Sequence, residues 1–240
     1  MLKYPTNFSI YNNPPEWAIP PKDMVTHEGD HISGWIKRER FYEAHILEIF
    51  KEHFPANSII FDIGANIGNH SLMFNKLFPD STIFSFEASP YNFIYLYQNV
   101  IGNDKITPYC IGLSNKREII KFSHYSEDYG GSGVSSVNDL EKESVKNKVF
   151  EMDILLNPFD SLNIELIPNV IKLDVENYEI PVLEGMMDVL TNNSPLIWVE
   201  DHPLEKQQNL ENSPTLYLKN LEYEPIAMCE CNVLLKKERV

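Results

Sequence analysis

Short apolar runs that end in a polar residue or a glycine alternate with stretches whose apolar positions recur every three or four residues. Ser58-Ile59-Ile60-Phe61-Asp62-Ile63 is such a run. A strand covered on both faces is apolar without alternation, so it reads as a central strand of a parallel sheet. Thr82 to Phe86, Ile106 to Cys110, Val170 to Leu173 and Leu196 to Val199 repeat the pattern. Ile119 to Phe122, Pro225 to Met228 and Val233 to Leu235 are further short strands. Leu72, Met73 and Leu77 mark a helix after the first strand, and Phe93, Leu96 and Val100 mark another, with Ser89 as its cap and Pro90 at its first position. Phe41, Ala44, Leu47, Phe50 and Phe54 predict an amphipathic helix that Pro55 stops and that packs against the sheet edge. The order is that of an α/β fold, a mostly parallel sheet with helices on both faces and a ligand site beyond the strands' carboxyl ends.

Two segments stand outside this alternation. Residues 1–35 carry Pro5, Pro14, Pro15, Pro20 and Pro21 and no continuous apolar stretch, which makes them an N-terminal arm and neither a signal peptide nor a membrane anchor. Residues 36–240 form a single domain, interrupted by a polar, serine- and glycine-rich loop or lid over 123–148. With 35 acidic against 20 basic residues, the formal charge of −15 disfavours nucleic acid and anionic membranes as partners. Cys110, Cys229 and Cys231 are too few for a disulfide framework, so a soluble, cytoplasmic protein is expected. Cys229 and Cys231, placed on one strand, would share a face as small buried hydrophobes.

The chemistry concentrates at strand ends. Asp62-Ile63-Gly64-Ala65-Asn66-Ile67-Gly68 joins a strand to a helix, and Gly64 and Gly68 permit the tight turn and close backbone approach that a nucleotide-like cofactor needs. The spacing is not that of a dinucleotide fingerprint, and Asp62 would repel a pyrophosphate while attracting the ammonium of a methionine moiety, which favours S-adenosylmethionine over NAD. Glu87 closes the next strand, with Ala88 after it, where a carboxylate can accept the hydroxyl hydrogens of a ribose. Ile111-Gly112-Leu113 offers an apolar surface and a backbone amide to adenine.

Three stretches together resemble the FkbM family of S-adenosylmethionine-dependent methyltransferases. Asp62 to Gly68 resembles D-[VI]-G-A-N-x-G; Phe86-Glu87-Ala88-Ser89-Pro90 resembles F-E-P-x-P with Ala88 in place of proline. Ile171-Lys172-Leu173-Asp174-Val175-Glu176-Asn177-Tyr178-Glu179 resembles I-K-[IL]-D-[VI]-E-G-x-E with Asn177 in place of glycine. The likeness runs from about Asp30 through Leu235. It implies a Rossmann-like class I methyltransferase fold with a seven-stranded sheet, and methylation of a hydroxyl group, commonly on a sugar or a natural product.

Lys172 and Asp174 interrupt the end of a buried strand, which is costly unless their polar ends reach a cleft or pair internally. Glu200-Asp201-His202 follows the next strand on the same side, so Lys172, Asp174, Glu200 and His202 are candidates for the acceptor site and His202 or Asp174 for the general base. Asp174, Glu200 and His202 could also hold a divalent metal, although their spacing does not diagnose one. Glu176 and Glu179 read as solvated or as caps of the following helix, and Met186-Met187 as core. Ala88-Ser89-Pro90-Tyr91 and Asn13-Pro14-Pro15-Glu16 resemble the loop of amino-methylating nucleic-acid enzymes only in composition and are read as turns. The expected reaction is O-methylation of a small-molecule or carbohydrate acceptor. Methylation of another small molecule or a protein, and cofactor binding without catalysis, are the alternatives.

Overall fold

The computed structural model describes residues 9–27, 31–125, 132–133, 148–162, 164–201 and 213–238. Its principal sheet is built from β1 (Ile59–Ile63), β2 (Thr82–Glu87), β3 (Ile106–Cys110), β8 (Val170–Leu173), β9 (Leu196–Glu200), β10 (Glu224–Cys229) and β11 (Asn232–Lys236). Their spatial order is β10-β11-β9-β8-β1-β2-β3. β11 runs antiparallel to both its neighbours and the other pairings are parallel, which gives the mostly parallel seven-stranded sheet expected.

Alternate residues of each strand enter opposite cores. Ile60, Ile83, Val170, Leu196, Trp198 and Leu234 face one cluster, shared with helices α3 (Ala44–Phe50), α4 (Asn69–Leu77) and α5 (Pro90–Val100). Phe61, Phe86, Ile171, Leu173, Ile197 and Val199 face the other, shared with α6 (Glu179–Glu184), α7 (Met187–Asn193) and α8 (Pro214–Asn220). The first face also carries the polar exceptions. Asp62 is in register with Ser85 on one side and Lys172 on the other, and Lys172 with Trp198. Two residues further along, the same face presents Glu87, Asp174 and Glu200 at the strands' carboxyl ends. The site is therefore a single edge of a single face.

Ser89 caps α5 as expected, its hydroxyl accepting from the Asn92 N–H at 3.4 Å. Of the proline-rich arm, α1 (Ser9–Asn12) and a 3₁₀ turn (Glu16–Ala18) are described, and Ile10 and Ala18 are buried in the first core. α2 (His31–Ile36) follows.

Three local readings differ. The helix expected from Phe41 begins at Ala44, because Glu43 is left-handed at φ 59° and Tyr42 is tied to Asn69; it then rests against the edge strand β10. Cys229 and Cys231 do not share a strand: Cys229 ends β10 and Cys231 lies in the Glu230–Cys231 turn to β11. The polar stretch from 123 opens as strand. β5 (Glu118–Tyr125) pairs with β7 (Lys148–Asn157) in a second sheet that includes β4 (Gly112–Leu113) and β6 (Ser132–Gly133). Residues 126–131 and 134–147 of the expected lid lie outside the described residues. A strand with one solvated face carries polar residues at every second position, and so resembles a loop.

Trp198 is wholly buried edge-on to Phe50, Phe74 and His70, and its Nε1–H donates to Asn232 Oδ1 at 2.5 Å. Trp198→Phe keeps one of the two fused rings and leaves that oxygen without its donor. The expected loss is about 2 kcal/mol of stability, read as a lower urea midpoint at unchanged slope.

Candidate active site

The glycine turn and the second strand's acid, separate signals in the sequence, touch in the fold. Gly64 and Ala65 both donate their N–H to Phe86 O, at 2.9 and 3.0 Å, which draws the turn across the end of β2. Asn66, at φ 50°, then aims its N–H at Glu87 Oε2, 2.8 Å away. Glu87 Oε1 accepts from the Ser89 N–H at 2.8 Å and from Asn92 Nδ2 at 3.4 Å. The Glu87 carboxyl is 5% exposed, and burial pushes its pKa up to about 7 against these hydrogen bonds. A carboxylate offers about four lone-pair directions, so this group retains capacity for a hydroxyl donor.

Gly64, at φ 83°, has a second duty. A Cβ placed there would lie 1.8 Å from the Asp174 carbonyl oxygen, while the Asp174 N–H donates to Ile63 O at 3.1 Å. The turn and the loop after β8 are thus in backbone contact, which no side chain at this position would allow. Gly68 is buried at φ 92° as the N-cap of α4. Ala88 is half-buried against Phe122, Ile154 and Leu156, and Gly112 and Leu113 are buried in the β4–β7 pairing. These three form the wall behind Glu87, with half-buried Ile111 beside them.

Burial bears on two of the expected site residues. Asp62 reaches no surface: its Oδ2 accepts from the Ser71 hydroxyl at 2.5 Å and its Oδ1 lies 3.8 Å from Lys172 Nζ, so it is a counter-ion and not a direct handle for a ligand's ammonium. Lys172 reaches no cleft. At 2% exposure its Nζ donates to Asp174 Oδ2 at 3.0 Å, so it acts through Asp174. Burial opposes its charge, but Asp174 and Asp62 outweigh that and raise its pKa. Asp174, partly open to solvent, is pulled below the usual carboxylate range: burial works against ionisation, and Lys172 overcomes it.

Glu200 ends β9 beside Asp174. Burial, then the charges of Asp174, Glu43 and Glu176, push its pKa up to about 8, with Lys172 opposing. The pair therefore divides its roles near neutrality, Asp174 ionised and Glu200 able to hold a proton. Glu179 accepts from the Val175 N–H at 3.0 Å at the start of α6. Asn177 is left-handed at φ 70°, a conformation asparagine tolerates better than most residues, so the turn survives without glycine. Asp201 caps α8 through Ser213 and Thr215. His202 lies outside the described residues. Among the described residues, no group of three or more His, Cys, Asp or Glu is placed to hold a metal ion.

The sequence reading missed Tyr42 and Glu43. Asn69 clamps the Tyr42 backbone, accepting its N–H and donating to its carbonyl, each at 3.0 Å. Glu43 Oε2 lies 3.2 Å from His70 Nε2, and Glu43 Oε1 accepts from Asn232 Nδ2 at 3.3 Å. A break in helical periodicity at Glu43 would have been the signal, and a left-handed glutamate leaves none in sequence.

A model of the methyltransferase FkbM domain matches residues 62–225. The hexuronic acid methyltransferase AglP of Haloferax volcanii is 27% identical over 172 residues, which cover 70% of this chain and 66% of that protein. Methyltransferase sdnD of Sordaria araneosa is 26% identical, covering 58% of this chain and 66% of its own length. The chain thus spans just under two thirds of each of these relatives. Among solved structures, a methyltransferase FkbM from Methylobacillus flagellatus superposes with a TM-score of 0.51 at 15% identity, over 75% of this chain and 43% of that one, a likeness of fold.

Lys172→Met should destabilise by about 3 kcal/mol, because it leaves the wholly buried Asp62 carboxylate without its counter-ion and Asp174 without its donor. The double variant Asp62→Asn, Lys172→Met should recover part of the loss in chemical denaturation. Additive losses would dissolve the pairing.

Proposed function

The chain belongs to the FkbM methyltransferase family, and from that premise we propose that it moves a methyl group from S-adenosylmethionine to a hydroxyl of a sugar, glycan or other small metabolite. Glu87 carries the reading: a buried carboxylate held by main-chain N–H groups of the glycine turn and the α5 cap keeps an acceptor direction for a ribose hydroxyl. The half-exposed Gly64 and Asn66 border it, and the Gly64 turn leaves the cofactor's approach free of side chain. When bound, S-adenosylmethionine supplies a methyl carbon made electrophilic by its sulfonium.

The remaining work falls to the chain. The acceptor hydroxyl must lose its proton as its oxygen bonds to carbon, and a base whose pKa lies near the working pH does this best. Glu200 fits, with Asp174 beside it to orient the hydroxyl and Lys172 to keep Asp174 ionised. His202, two positions beyond Glu200, is the second candidate base. Positioning of the hydroxyl against the methyl supplies much of the rate. Likeness to a hexuronic acid methyltransferase supports a sugar acceptor, and a charge of −15 argues against nucleic acid.

Glu87→Ala should weaken S-adenosylmethionine and S-adenosylhomocysteine binding by roughly 1.5–3 kcal/mol in calorimetry, and unchanged affinity would remove Glu87 from the site.

The pH profile separates the two bases. Glu200 accepts a proton only once ionised, and its pKa is raised, so single-turnover methyl transfer should climb as the pH passes about 8 and lose that limb in Glu200→Gln. A limb near pH ~6.5 that His202→Ala abolishes would move the role to the histidine. Loss on chelation, restored by Mg²⁺, would assign it to a metal.

A further inference from the structure

We propose that Tyr42 and Glu43 are acceptor-specificity residues, and that with Asp174 and Glu200 they select neutral or amine-bearing hydroxylated acceptors against hexuronic acids. The inference rests on the methyl-transfer reading above and concerns which sugars that site admits.

Tyr42 and Glu43 come from the segment before α3 and are fastened to the carboxyl end of the sheet from two directions. Asn69, first residue of the helix that follows the glycine turn, holds both backbone polar groups of Tyr42. Asn232 holds Glu43 and is the in-register neighbour of Glu200. His70, 5% exposed, closes the other side of Glu43. The Tyr42 ring stands edge-on to His31 with centroids 5.2 Å apart. Burial, and then the charges of Glu43, Asp174 and Glu200, raises its pKa and keeps the phenol protonated.

Among the described residues, the charges facing this corner are unbalanced. Glu43, Asp174, Glu176 and Glu200 contribute carboxyl groups from the N-terminal segment, the loop after β8 and the end of β9. Beneath them lie Lys172, buried and already shared between Asp174 and Asp62, and His70, already against Glu43 at 3.2 Å. Asp62 Oδ1 is itself wholly buried and has no hydrogen-bond donor among the described residues, so the ammonium has no capacity to spare for an incoming anion.

Ligand chemistry follows from that inventory. Sugar hydroxyls donate, and the carboxylates here accept. A protonated amine would supply the missing positive charge. A uronate carboxylate can only accept, and once Glu200 is ionised it would meet like charges from these carboxylates.

The test presents methyl glucoside, glucosamine with its amine protonated, and glucuronate to the full chain with methyl-labelled S-adenosylmethionine, locating the label on oxygen by mass spectrometry. The glucoside or glucosamine should exceed glucuronate in kcat/KM by about tenfold or more. Glu43→Gln should shrink that ratio while cofactor affinity stays unchanged. Tyr42→Phe, which preserves packing, should raise the acceptor KM more than it lowers kcat, and it reports on the corner even if Glu43→Gln folds poorly. Glucuronate used as well as the others, or a ratio and KM untouched by both variants, overturns the inference and leaves the methyl-transfer reading standing. Cofactor binding without transfer to any of the three sugars rejects the sugar reading, and the inference with it.

Discussion

A lysine ammonium buried between two carboxylates governs the carboxyl end of the sheet. Removing such ions from water costs several kcal/mol each, and the arrangement is tolerable only because Lys172 meets Asp174 at 3.0 Å and Asp62 at 3.8 Å while Ser71 satisfies the far oxygen of Asp62. The contact crosses from β8 to β1, so it fixes where Asp174 stands relative to the glycine turn. Gly64 closes the same joint from the backbone side, where the Asp174 carbonyl occupies the space of an absent Cβ. Ion pair and glycine are two halves of one constraint.

From that joint the site divides in two. On the β2 side, Glu87 is ringed by N–H donors and backed by apolar Ala88, Gly112 and Leu113, an environment for hydroxyls and a flat apolar ring. On the β9 side, Asp174 and Glu200 stand with Tyr42 and Glu43, an environment rich in acceptors of hydrogen bonds. The proposed methyl transfer needs a cofactor and an acceptor on opposite sides of one point, and the row of strand ends would supply both sides from a single face of the sheet.

Much of this was legible residue by residue. Strands buried on both faces must be apolar, so Ile59–Ile63, Val170–Leu173 and Leu196–Glu200 announce themselves, and Ser89-Pro90 marks a helix start by the chemistry of caps. The period-two rule even puts Asp62, Glu87, Lys172 and Glu200 on one face once the strands are aligned. Less legible were elements whose outcome depends on remote partners. The onset of α3 is delayed by Asn69, and the end of β5 from Ser123 to Tyr125 looked like a loop because its residues are polar, while Ile119 to Phe122 of the same strand was legible.

By itself the sequence determined the sheet, the glycine turn and the acid that follows it, because each depends on backbone conformation or periodicity within a few consecutive residues. The tertiary structure alone decided that Lys172 is sealed inside the core, that Asp62 serves it as a counter-ion, and that Glu43 meets Asn232 across 189 positions of chain. A side chain's dielectric surroundings and hydrogen-bond partners are set by the register between strands and by which helix covers them. Those long-range contacts leave no periodic trace in the residues that make them.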